Sequence, residues 1–204
     1  MKVCKFGGTS MANAECIGKV RDIIAADDQV AYVVVSAPGK REKSDTKVTD
    51  LLYACLDDVH AGKNAKEAFA PIRERFDSII KGLNLKIDLT ARYDEIETAL
   101  DNGATKDYIA SRGEYLSAIV LAEALGWKFI DAAEFVRFDD NGNFLADETN
   151  AYARALFHNV KRAIIPGFYG ATADGVIKTF SRGGSDISGS IVARAVYADI
   201  YENW

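Results

Sequence analysis

Apolar positions along the first 35 residues switch between two periods. Val3 to Phe6 reads as a short first strand that opens on the apolar pair Val3-Cys4. From Asn13 to Ala26 the apolar residues Cys16, Ile17, Val20, Ile23 and Ile24 recur at helical spacing. Val30 to Val35 is almost continuously apolar and β-branched, as a strand covered on both faces should be. Strand, helix and strand predict a parallel βαβ unit, and Ser36-Ala37-Pro38-Gly39 leaves it where open α/β sheets place their ligand loops. Lys40 to Asp45 is polar and predicts a mobile, solvated loop whose cations could reach a phosphate. Lys47 to His60 predicts a helix with Asp45 or Thr46 as its cap.

Asn64 to Asn102 reads as helices with charged faces, broken near Gly82 to Lys86. The stripe Phe69, Ile72, Phe76, Ile79 and Ile80 suits a core face, so this insertion is expected to carry no chemistry and to cover a cleft or a subunit contact. A long Ala- and Leu-rich helix ends at Gly126, a C-cap residue. Beyond it the pattern predicts strands at Trp127 to Ile130, Arg162 to Gly170, Val176 to Phe180 and Ala198 to Trp204. Helices are predicted at Thr149 to Asn159 and Ser188 to Tyr197, and a turn at Asp139 to Asn143. The alternation describes one α/β domain.

Three glycine-bearing stretches interrupt this pattern. In Lys5-Phe6-Gly7-Gly8-Thr9-Ser10, a strand enters a glycine pair and then a helix, gathering backbone N–H groups and one lysine around a point that suits a phosphate. Thr9 or Ser10 could cap the helix that follows. The plainer alternative is a Gly-rich turn with a surface lysine. The spacing matches neither the Walker P-loop nor the dinucleotide fingerprint. Ser181-Arg182-Gly183-Gly184-Ser185-Asp186 sets an arginine and an aspartate around two glycines, a clamp for a carboxylate or phosphate. Two such turns imply one cleft. The third, Ser111-Arg112-Gly113-Glu114, is expected to open the long helix, where Glu114 could equally be a first-turn glutamate favoured by the helix dipole and Thr49 an ordinary capping residue.

Together, in this order and across nearly the whole chain, these motifs resemble the aspartokinases of the amino acid kinase superfamily. The resemblance implies a three-layer α/β/α open sheet, mostly parallel, of the amino acid kinase or carbamate kinase-like type and incomplete at its C-terminus. It also implies transfer of the γ-phosphoryl group of ATP, bound with Mg2+, to the side-chain carboxylate of L-aspartate in lysine, threonine and methionine biosynthesis. Carried over residue by residue, Lys5 and Asp186 are catalytic, with Lys5 neutralising the transferring phosphate and Asp186 orienting Lys5 or organising the reacting groups. Lys5, Phe6, Gly7, Gly8, Thr9, Ser10, Gly183 and Gly184 hold ATP phosphates. Ser36, Thr49, Glu114, Arg182 and Ser185 bind aspartate, Glu114 at its amino group and Arg182 at its α-carboxylate, beside a Pro166-Gly167-Phe168 loop. Aspartokinases continue beyond this point into further nucleotide contacts and regulatory ACT domains. Residues 1–204 are thus expected to be the N-terminal part of a catalytic domain, with little activity alone. Another amino acid kinase, such as a glutamate or acetylglutamate kinase, and a non-catalytic amino-acid-binding module are the alternatives.

Composition narrows the rest. At 204 residues and 49% hydrophobic, the chain can bury a substantial core. Its net charge of −5 argues against a nucleic-acid partner. No apolar run approaches the ~18 residues of a membrane span, so the expected protein is cytoplasmic; the resemblance to aspartokinases implies a homo-oligomeric full-length form. Cys4, Cys16 and Cys55 are odd in number and widely spaced, His60 and His158 lack ligand spacing, and no protein metal site is expected. Asp139 to Gly142 lacks the ligand series of an EF-hand.

Overall fold

The computed structural model describes residues 1–181 and 183–204. Its centre is a five-stranded sheet, ordered β3-β4-β2-β1-β7, in which each neighbouring pair runs parallel. The strands are β1 (Lys2–Phe6), β2 (Val30–Val35), β3 (Lys128–Phe129), β4 (Ala163–Pro166) and β7 (Ile200–Asn203). A separate antiparallel hairpin pairs β5 (Tyr169–Ala171) with β6 (Ile177–Thr179). Val33, Val34 and Val35 are fully buried, which requires cover on both faces of β2. One face is covered by α5 (Lys106–Leu125), backed by α1 (Ala14–Ala25), α2 (Val48–His60), α3 (Ala65–Gly82) and α4 (Thr90–Asp101). The other is covered by α7 (Gly184–Ala195), with α6 (Ala146–Phe157) packed against it. This is the mostly parallel layered α/β sheet that the sequence implies.

Several local expectations are corrected. Asn13, rather than Thr9 or Ser10, caps α1, accepting from the Cys16 amide at 2.9 Å. The chain first closes a turn, with the Met11 amide bonded to the carbonyls of Gly7 and Gly8 at 3.2 Å. Neither Asp45 nor Thr46 caps α2, whose N-cap is Lys47 without a side-chain bond. Ser111 to Glu114 is not a turn: it lies inside α5, which starts at Lys106 with Thr105 as cap. Helix α7 starts at Gly184 rather than Ser188, directly against the glycine turn. The segment from Lys40 to Asp45 is pinned rather than mobile, because Arg75 of α3 holds Asp45 at 2.8 Å. Gly126 does end α5 in the left-handed conformation, at φ 65°.

Gly113 explains why a glycine sits inside a long helix. A Cβ there would meet the Ala37 Cβ at 2.6 Å, so its absence lets α5 close on the loop leaving β2. Gly113→Ala should cost about 1–3 kcal/mol of stability through overpacking. Gly18→Ala in α1, where nothing lies within 4 Å, should gain roughly 0.5–1 kcal/mol. Urea denaturation of both variants checks the contrast; equal effects would contradict this packing.

Candidate functional site

The loops leaving β1, β2 and β4 share one edge of the sheet, the edge of their C-terminal ends, and meet there the first turns of α2 and α7. Between them lies a cleft of two chambers, about 680 and 370 Å³, that share Ser36, Lys47 and Thr49. The larger chamber is walled by Lys5, Phe168 and the turn from Gly183 to Asp186. The smaller is walled by Gly8, Thr9, Gly39 and Glu114. The glycine turns thus belong to one cleft.

At the end of β1, Lys5 points its ammonium across Gly7, where a Cβ would lie 3.4 Å from Nζ. Its partner is Asp186 in the first turn of α7, at 2.8 Å, with the lysine side chain 11% and the aspartate 51% exposed. Asn203 donates to the same carboxylate at 3.2 Å. Cys4 and Phe6, on the strand face opposite Lys5, are buried, and Phe6 stacks on Trp204 with centroids 6.0 Å apart. The Phe6 side chain is therefore a core element, while Gly8 and Thr9 face the smaller chamber.

The α7 turn is held by close packing. Gly183 adopts φ 75°, a conformation that suits glycine. A Cβ on Gly184 would lie 2.7 Å from the Phe168 ring, and one on Gly167 would lie 2.9 Å from Ser185. Phe168 itself is left-handed, at φ 81°, and its amide is held by Ser188 Oγ at 2.9 Å. A non-glycine residue in that region stores about 1–3 kcal/mol of strain, which the Ser188 bond and the Phe180 amide, donating to the Phe168 carbonyl at 2.8 Å, help to hold. The Pro166-Gly167-Phe168 loop thereby presents an aromatic side chain to the larger chamber. Arg182 lies outside the described residues; its neighbours Ser181 and Gly183 line the larger chamber.

Glu114 is the most unusual group of the cleft. It is 5% exposed and sits mid-helix in α5, one residue beyond the Gly113 contact, with its Oε2 unpaired among the described residues. Ser117 Oγ, almost one turn on, is also unpaired among them. Burial pushes the Glu114 carboxyl up to about 8, opposed by backbone amides including that of Ala37 and by Arg112. Arg112 itself packs over the rings of Tyr108 and Tyr115 at 4.4 and 4.5 Å. A buried carboxyl without a counter-charge is a costly arrangement unless something cationic completes it.

Of the residues singled out from the sequence, Lys5, Gly183, Gly184, Ser185 and Asp186 line the larger chamber, Gly8, Thr9 and Glu114 the smaller, and Ser36 and Thr49 both. Sequence reasoning missed Lys47, Asp50 and Tyr53, which line the larger chamber from α2. Their spacing of three was the available signal, since it places them on one helical face beside Thr49. Among the described residues, no group of three or more His, Cys, Asp or Glu side chains could hold a metal ion, and no helix is long and apolar enough to cross a membrane.

A family description of amino acid kinases matches residues 1–204. The chain belongs to the amino acid kinase family. It is 38% identical to aspartokinase 3 of Bacillus subtilis, over all of this chain and 48% of that protein. Its fold is similar to that of Clostridium acetobutylicum aspartate kinase, with TM-score 0.95 and 43% identity, over all of this chain and 47% of that one. Escherichia coli aspartokinase III, solved in complex with aspartate and ADP, matches at TM-score 0.81 and 26% identity, over all of this chain and 48% of that one. The chain thus spans about half the length of these relatives.

With its carboxyl raised to about 8, Glu114 is protonated in the native state and ionised in the unfolded state over the window between 4.5 and 8. The native state binds the extra proton, so this group's contribution to stability is lost as pH rises through that window. Glu114→Gln should therefore gain stability over the parent progressively from about pH 5 to about pH 8.5. Denaturant melts at both ends check this; a difference independent of pH would contradict it.

Proposed function

We propose that this chain is part of an aspartate kinase that transfers the γ-phosphoryl group of ATP to the side-chain carboxylate of L-aspartate, giving 4-phospho-L-aspartate and ADP. The observation that carries the proposal is Glu114, a buried carboxyl with an unpaired oxygen at the wall of a cleft whose other end is built from a lysine and two glycine turns. Such a carboxyl suits the ammonium of an amino acid, since the ion pair forms away from bulk water and completes a group now left alone. The Escherichia coli relative, solved with aspartate and ADP, supports the choice of ligands.

The acceptor carboxylate is already an ionised nucleophile, so no strong general base is needed. The barrier is the approach of two anions and the spread of charge over the phosphoryl oxygens. Lys5 neutralises part of that charge, with the backbone of Gly7 and Gly8 close beside it. Asp186 holds the lysine in place through the pair seen at 2.8 Å. Ser36 and Thr49 orient the acceptor carboxylate between the amino-acid and phosphate ends in this proposal, which their lining of both chambers supports. Ser185 and Arg182 complete the amino-acid site in this proposal, Arg182 on the α-carboxylate. Mg2+ bound with the nucleotide would supply further charge neutralisation. The lysine, threonine and methionine pathways, a cytoplasmic location and a homo-oligomeric whole protein belong to the same proposal and rest on the resemblance to aspartokinases.

In the active protein, Lys5→Ala should lower kcat about 10²-fold or more while changing the KM for aspartate little, because the lost interaction belongs to the transition state. Steady-state assays with aspartate and glutamate as acceptors check both points. Equal, small effects on kcat and KM would count against Lys5 in this role, and preference for glutamate would assign the site to another amino acid kinase.

A further inference from the structure

The segment from Lys40 to Lys47 closes one side of the cleft, yet most of its side chains are exposed and apolar packing holds little of it. Among the described residues, the side-chain bonds of Lys40, Arg41 and Ser44 stay within the segment. Backbone bonds from Gly39 to Gly8 and from Val48 to Pro38 close its base, and the side chain that reaches it from elsewhere in the fold is Arg75 of α3, 4% exposed. Its guanidinium donates to the Gly39 carbonyl at 3.0 Å, to both oxygens of Asp45 at 2.9 and 2.8 Å, and to the Thr46 carbonyl at 3.1 Å. One planar fork therefore grips both ends of the segment. Arg41 closes on Asp45 from the solvent side at 2.8 Å and holds that carboxyl well below the usual carboxylate range, with Arg75 adding to the effect.

What Arg75 fixes is the geometry next to the phosphate turn. Gly39, the residue it holds, donates its amide to the Gly8 carbonyl at 2.7 Å. The approach is so close that a Cβ on Gly39 would lie 2.7 Å from the Gly8 carbonyl carbon and oxygen. Thr46, the other end, leads directly into Lys47 and Thr49, which line both chambers. Movement of either end shifts a wall of the cleft.

We propose that Arg75 is a positioning residue for phosphoryl transfer, acting from α3 through Gly39, Asp45 and Thr46 to hold the 39–47 segment against the Gly7-Gly8 turn. The helical insertion thus contributes to the chemistry without lining the cleft. This inference rests on the kinase reading of the site, because an effect on turnover requires that turnover to exist.

Two variants test it. Arg75→Met removes the fork at similar volume and leaves Asp45 paired with Arg41; Arg75→Lys keeps the charge and loses the fork, and serves if the first variant fails to fold. Hydrogen exchange of the amides of 39–47 and steady-state kinetics with ATP and L-aspartate are read together. Arg75→Met should exchange at least about tenfold faster in that segment, with β2 and α5 unchanged. Its kcat should fall roughly 10- to 100-fold while the KM for aspartate moves less than about threefold, since small displacements near the reacting groups act on the transition state. Arg75→Lys should be intermediate in both. Unchanged exchange in both variants, or faster exchange with unchanged kcat, would overturn the proposal. The kinetics are read in the whole protein that carries this chain: if it binds but never phosphorylates aspartate, the kinase reading is overturned, and the exchange comparison then decides on its own whether Arg75 pins the segment.

Discussion

Close approach of glycine backbone to neighbouring segments at the C-terminal edge of the sheet is the constraint on which the cleft depends. Gly39 lies on Gly8, Gly113 on Ala37, and Gly167 on Ser185, each at a distance that a methyl group would forbid. Two of these contacts join the turn after β1, the loop after β2 and the middle of α5, and the third joins the loop after β4 to the start of α7. A Cβ at any of them would force apart elements carrying Lys5, Thr49, Glu114 or Asp186. The glycines act at packing points as much as at turns, and the left-handed conformation is needed at Gly183 but not at Gly113.

Within that frame the two ends of the cleft differ electrostatically. Lys5 is paired with the half-exposed Asp186, from which an incoming anion could take over the contact. Glu114 is buried and unpaired on one oxygen, and is held neutral to about 8 until a cation arrives. A ligand with an ammonium at one end and an anionic group at the other would satisfy both. An amino acid whose side-chain carboxylate meets a nucleotide has that charge pattern.

Much of this was legible in the sequence because local chemistry and tertiary need agree. The apolar run of β2, the helical spacing of α1 and the two glycine turns placed the sheet edge and most of the cleft. The failures have a common cause. Gly113 was taken for a turn residue because glycine usually marks chain reversal, whereas here it marks a helix pressed against a loop. Lys40 to Asp45 was expected to be mobile because its composition is polar. Its order depends on Arg75, thirty positions from Asp45, and such pairing carries no local signature. Lys47, Asp50 and Tyr53 escaped notice because a polar first turn is usually a solvated one, and only the cleft above α2 gives it a purpose.

The most direct test of the site's central feature is calorimetric titration of the folded chain with L-aspartate near pH 7, in buffers of different ionisation enthalpy. If the ammonium docks on Glu114, the carboxyl must ionise as it binds, and a proton passes to the buffer. The expected result is binding whose apparent enthalpy shifts with the buffer, and loses that shift in Glu114→Gln. Binding without proton release, or no binding by a chain shown to be folded, would contradict the assignment of Glu114 as the ammonium site.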